Sequence, residues 1–189
     1  MTYRFRSPGI FVILLFVCLL SLSISAQKTM LAAAANLDQC QNGTAASPIG
    51  CTTKAEWVNG NANRNNSHWA ESEFLAYRMR FTGLSLATHT VTIGYDILES
   101  GLHAIDYLGT FNQTELTANP CAGAGWTLAS PTSFFAIPED TVTVTNNINP
   151  NTGLPIVQTP GNVWMWAGPI TNVQYVPFAG GKERQITVT

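Results

Sequence analysis

Charged side chains are scarce in this chain: nine Lys and Arg and eleven Asp and Glu among 189 residues. That is 11%, against roughly 25% in ordinary soluble domains. So few cations cannot form a basic stripe, which argues against nucleic acid as a partner. Histidine is rarer still, with only His68, His89 and His103. The chain has no Gly-x-Ser-x-Gly elbow, no His-Glu-x-x-His, no phosphate loop and no EF-hand loop. No catalytic residue, metal centre or cofactor is therefore assigned. Beyond the first 35 residues no long helical periodicity occurs either.

The one long apolar run, residues 10–20, follows Arg4 and Arg6 and precedes small residues: Ser21, Ser23, Ser25, Ala26, then Ala32 to Ala35. Basic, apolar and small in that order reads as a secretory signal peptide over residues 1–35, with cleavage between 26 and 35. The run is about half the ~20 residues that a spanning helix needs, so the membrane is expected to matter only during export. The mature chain is read as one domain, residues 36–189, working outside the cytoplasm. Without the leader, six basic residues face eleven acidic ones, a net charge near −5. Polarity comes instead from Thr, Asn, Ser and Gly, which favour strands and turns over helices.

Three cysteines survive cleavage: Cys40, Cys51 and Cys121. Thiols oxidise outside the cell. The short loop between Cys40 and Cys51 makes that pair the expected disulfide, worth roughly 2–3 kcal/mol on the chain-entropy model. Cys121 is then the odd thiol.

Apolar residues recur with period two in several short stretches. Strands are predicted over 74–81, 89–96, 102–108, 142–144, 163–167, 170–176 and 186–189. The cleanest is 89–96, where Val91, Ile93 and Tyr95 alternate with Thr90, Thr92 and Asp96. It is expected to pair with 102–108 as an antiparallel hairpin through a loop at 98–101. The second strand should be a central one, apolar on both faces. Residues 119–138 and 146–155 are read as loops. In the last strand Ile186 and Val188 are expected to face inward and to leave an open edge that recruits other chains. Short strands with frequent turns predict an all-β fold, a β-sandwich of Ig-like or jelly-roll-like type, after a helical leader.

Two groups carry candidate chemistry. Asp96, His103 and Asp106 could form a cation or sugar site, or be sheet residues satisfied by hydrogen bonds. Trp164 and Trp166, two apart, share a strand face. Exposed, they could stack on sugar rings; buried between sheets, they would be core. Asn42, Asn65 and Asn112 head Asn-x-Ser/Thr patterns, which matter only in a eukaryotic host.

The ordered series Leu37-Asp-Gln-Cys-Gln-Asn-Gly43, Trp57-Val-Asn-Gly60, Asn66-Ser-His68, Tyr77-Arg78, Phe81-Thr-Gly-Leu84, His89-Thr-Val-Thr-Ile93, Tyr95-Asp96, Gly101, His103-Ala-Ile-Asp-Tyr-Leu108 and Asn119-Pro-Cys121 resembles an N-terminal β-sandwich module of uncharacterised bacterial secreted and cell-surface proteins. Those proteins often carry prealbumin-like, Ig-like or collagen-like repeats further on. The resemblance covers residues 36–189. It implies an extracellular module with no assigned enzymatic role, and it transfers no catalytic residues. Members of that group tend to carry a second cysteine soon after the match to Cys121; residues 123–126 have none. They also continue past the match to 186–189 into a Trp-Gly-Gly-His segment, so this chain reads as truncated. The expected function is a structural, adhesive or ligand-binding surface module, with glycans or other surface proteins as partners. The alternatives are a carbohydrate-binding module of a polysaccharide-degrading system and a secreted hydrolase with dispersed residues.

Overall fold

The computed structural model describes residues 32–144 and 153–189. Residues 1–31, read above as part of a leader, and most of the expected 146–155 loop lie outside these residues. The first described strand is one that alternation conceals. In β1 (Ala34–Cys40) it is Asp38 and Cys40 that are buried, while Leu37 is 45% exposed. Short strands β2 (Gly43–Thr44) and β3 (Ser47–Pro48) form a small hairpin inside the Cys40–Cys51 loop. A 3-10 turn at Lys54–Glu56 leads to β4 (Trp57–Val58), and β5 (Tyr77–Thr82) follows an Asn-rich stretch at residues 59–67. β1 lies between β4 and β5, antiparallel to both.

The register explains the inverted polarity of β1. Asp38 is opposite Arg78, so the two face the same side of the sheet. Arg78 Nε donates to Asp38 Oδ2 at 2.8 Å, and Arg80 Nε reaches the same oxygen at 3.1 Å. Arg78 Nη1 also donates to the carbonyls of Pro120 and Ala122, and its guanidinium lies 4.9 Å from the Trp57 ring centre. Cys40, Cys51, Trp57, Ala76, Ala118 and Ala122 form the apolar cluster on this side. Cys40 and Cys51 are disulfide-bonded with Cα atoms 5.7 Å apart, as expected, and Cys121 is a buried free thiol.

β6 (Val91–Asp96) keeps the expected alternation: Tyr95 is buried and Val91 and Ile93 half-buried, while Thr90 and Thr92 are exposed. Its neighbour is not residues 102–108. β6 pairs along its length with the last strand, Glu183–Val188. The hairpin next to it shrinks to β7 (Leu98–Glu99) and β8 (Leu102–His103). Its turn is made by Ser100 and Gly101, both at positive φ (52° and 81°), as a tight two-residue hairpin requires. Two further bonds, Ala104 N to Ile97 O and Ile105 N to Asp96 O, hold its foot. Residues 104–108 then leave the sheet. Leu102 is 73% exposed, so the expectation of a covered central strand is corrected.

Within the predicted 119–138 loop, Ser133–Ala136 is a strand, β9. The β-branched stretch after Asp140 is a single helical turn, α1 (Thr141–Val144). Asp140 overrides strand propensity there by accepting Val142 N on Oδ1, as an N-cap does. The remaining strands are β10 (Asn162–Met165), β11 (Val173–Tyr175) and β12 (Glu183–Val188). β12 is flanked on both sides, in the order β11-β12-β6. It is therefore not itself an open edge; the outer strands of its sheet are β11 and β6. Ile186 and Val188 do face inward, in a cluster with Ile137, Ile170 and Val173.

The described fold is all-β, built from small antiparallel sheets. A second buried ion pair sits beside the later cluster. Arg184 Nε contacts both Asp140 oxygens, at 2.9 and 3.2 Å, and Tyr95 Oη donates to Asp140 Oδ2 at 3.0 Å. Among the described residues no helix is long and apolar enough to cross a membrane.

Candidate functional site

β9 and β10 pair so that Phe134 is opposite Trp164 and Phe135 is opposite Val163. Side chains alternate across a strand. Phe135, Val163 and Met165 pack against the Ile186 cluster, which sends Phe134, Trp164 and Asn162 to the outer face. There they line an open cleft of about 560 Å³ with Phe111, Asn112, Leu128, Ala129 and Pro131. Volumes of a few hundred Å³ suit small ligands.

The walls are two loops tied to β10. Thr110 Oγ1 accepts Asn162 N at 2.9 Å, and Gln113 Nε2 donates to Pro160 O at 3.1 Å. Gly161 makes that approach possible: a Cβ there would meet Thr110 N at 2.7 Å and Gly109 Cα at 2.8 Å. On the other loop, Trp166 Nε1 donates to Thr127 O at 3.0 Å, and Thr132 Oγ1 accepts Ala167 N at 2.8 Å.

The rings touch. Phe111 meets Trp164 edge-on at 5.5 Å and Trp166 at 6.4 Å; Trp164 lies 6.0 Å from Trp166 and 6.5 Å from Phe134. Both tryptophans are half-buried, so they are neither a flat exposed pair nor core between sheets. Phe134 is 66% exposed. Trp164 Nε1 is buried and has no hydrogen-bond partner, an arrangement that costs about 1–3 kcal/mol. The lining contains no ionisable side chain, thiol or hydroxyl.

The other predicted group is not brought to this cleft. Asp96 faces Lys182 Nζ at 3.8 Å, and the same ammonium lies 3.8 Å from Glu99. His103 is exposed on β8. Asp106 is half-buried, and burial raises its pKa, with Glu71 adding to the rise and His103 opposing it. Among the described residues no three His, Cys, Asp or Glu side chains are placed to share a metal ion.

The raised pKa has a consequence for stability. Ionising Asp106 is harder in the folded chain than in the unfolded one. The penalty is absent below the unfolded value, about 3.9, and complete once pH exceeds the folded value. Asp106→Asn should therefore raise Tm at pH 7, and the gain should vanish near pH 3. Thermal melts at both pH values check this; equal gains at both would mean the charge is irrelevant.

Phe111, Asn112 and Phe134 were not legible as site residues. Asn112 appeared only as a glycosylation pattern. Of the three such asparagines, Asn42 is buried, with its carboxamide bonded to Glu115 and to His68 N, whereas Asn65 is exposed. Burial also raises the pKa of the Cys121 thiol, against the pull of Arg78, so this cysteine has the environment of an inert thiol rather than a reactive one. No family model, curated protein or solved structure matches the chain.

Proposed function

We propose that the chain is an exported, extracellular or cell-surface β module that acts by binding and not by catalysis. The observation that carries the reading is the make-up of the Trp164 cleft. Its rings and carboxamides are binding groups, and none of its side chains can serve as acid, base or nucleophile near neutral pH. Asp38, Arg78, Asp140 and Arg184, the buried charges among the described residues, are spent on one another. Export is supported by the basic, apolar and small order of the first 35 residues. The Cys40–Cys51 disulfide supports it too, since such bonds persist in oxidising compartments. The resemblance to bacterial surface modules points the same way.

Processing is expected after Ala26. Cleavage after Ala35 would remove Ala34 and Ala35, the β1 partners of Thr82 and Phe81. Fractionation of cells expressing the whole chain should find it outside the cytoplasm with Gln27 at its N-terminus. Cytoplasmic protein that retains Met1 would overturn export. Turnover of a polysaccharide or peptide by the mature chain would overturn the non-catalytic half of the proposal.

A further inference from the structure

We infer that the Trp164 cleft takes an uncharged sugar ring, stacked against Phe134 and Trp164 and hydrogen-bonded by the Asn112 and Asn162 carboxamides. This rests on the binding-module reading and names its ligand class. Neutrality follows from the lining. Phe111, Asn112, Leu128, Phe134, Asn162 and Trp164 offer a charged ligand no counter-charge, so its desolvation would go unopposed. Phosphorylated or acidic sugars and charged peptides are thereby disfavoured.

The rings select shape. An aromatic face is the negative part of the ring quadrupole. The C–H-rich face of a pyranose, slightly positive and apolar, complements it. Phe134 already presents such a face to solvent, 66% exposed and 6.5 Å from the Trp164 ring.

The carboxamides select chemistry. Each is both donor and acceptor, as a hydroxyl is. No hydrogen bond within the described residues occupies either one; only the backbone N of Asn162 is bonded, to Thr110. The unpaired N–H of Trp164 adds a reason for the ring to move. A rotation that brings it to a ligand hydroxyl recovers a missing bond. A proline-rich peptide is the rival for an aromatic groove. Polyproline has no backbone N–H, so it would leave the carboxamide oxygens of both asparagines unpaired.

The test titrates the mature chain with cellohexaose, mannohexaose, xylohexaose, hexagalacturonate and a decaproline peptide, read by tryptophan fluorescence and calorimetry. At least one neutral hexasaccharide should bind saturably and perturb tryptophan emission. Phe134→Ala should weaken it about tenfold or more, as loss of a stacked ring does, with unchanged circular dichroism and Tm. Asn112→Ala should weaken it too. Any of the following results would overturn the inference. One is no saturable binding of any neutral hexasaccharide. A second is preferred binding of hexagalacturonate, or a neutral sugar bound equally well by both variants. A third is decaproline binding that depends on Phe134 while sugars do not bind, which removes the sugar yet keeps the binding module. Failure of the module reading itself is seen separately, in cytoplasmic retention or turnover.

Discussion

Asp140→Asn should lower the free energy of unfolding by about 3–5 kcal/mol, the cost of leaving one partner of a buried ion pair uncompensated. Asp140 has no exposed surface and serves three donors. Arg184 Nε and Val142 N reach Oδ1 at 2.9 and 3.1 Å, and Tyr95 Oη reaches Oδ2 at 3.0 Å. The amide keeps the shape but loses the charge that holds Arg184, and its new N–H groups face donors. The damage spreads through shared contacts. Arg184 lies over the Tyr175 ring at 4.4 Å and donates to Val176 O, and Tyr95 Oη also reaches Tyr175 Oη. These groups tie β6, β11 and β12 to the turn at α1. Urea unfolding at pH 7 checks the loss, which corresponds to a Tm drop on the order of 10 °C. Glu139→Gln, at the exposed neighbouring position, should change stability by no more than about 0.5 kcal/mol. A loss below about 1 kcal/mol for Asp140→Asn would mean that Arg184 finds water instead.

What the sequence disclosed and what it concealed divide along one physical line. Period-two patterning reports a strand with one covered and one open face. β6 is such a strand, and Val91, Ile93 and Tyr95 were legible. The Cys40–Cys51 bond was legible from the short separation together with the oxidising location expected from the first 35 residues. β1 was not, because its inward residue is Asp38 and its outward one Leu37. An interior carboxylate makes sense only once Arg78, forty residues away, is known to lie opposite. Residues 102–108 alternate but do not extend the sheet, since the neighbour of β6 is β12 at the far end of the chain. Strand pairing over such distances is a tertiary choice that local pattern does not encode. The cleft shows the same limit. Trp164 and Trp166 drew notice as a pair, but the other walls come from loops near residues 111 and 128, folded onto β10 by long-range bonds.

Arg78 should prove as costly to remove as Asp140, and harder to compensate. Arg78→Met should destabilise the fold by about 3–5 kcal/mol, because Asp38 is left buried with only the half-exposed Arg80 as counter-ion. Replacing both partners of a buried pair by apolar residues is often neutral. Here Asp38→Leu combined with Arg78→Met should restore only part of the loss. Arg78 Nη1 also satisfies the carbonyls of Pro120 and Ala122, at 3.1 and 2.7 Å, and a methionine cannot donate to either. Each orphaned carbonyl retains a penalty of about 1–3 kcal/mol. The ion pair thus ends in a backbone anchor: it fastens β5 to the loop that carries Cys121, beside Trp57, Ala118 and Ala122. Denaturant unfolding of the two single variants and the double variant, read as a double-mutant cycle, separates the two contributions. A double variant as stable as the starting protein would show that water or a neighbouring donor satisfies those carbonyls without Arg78. A double variant that stays below it while remaining folded would identify them as what makes an arginine, and not merely a matched apolar pair, necessary at this position.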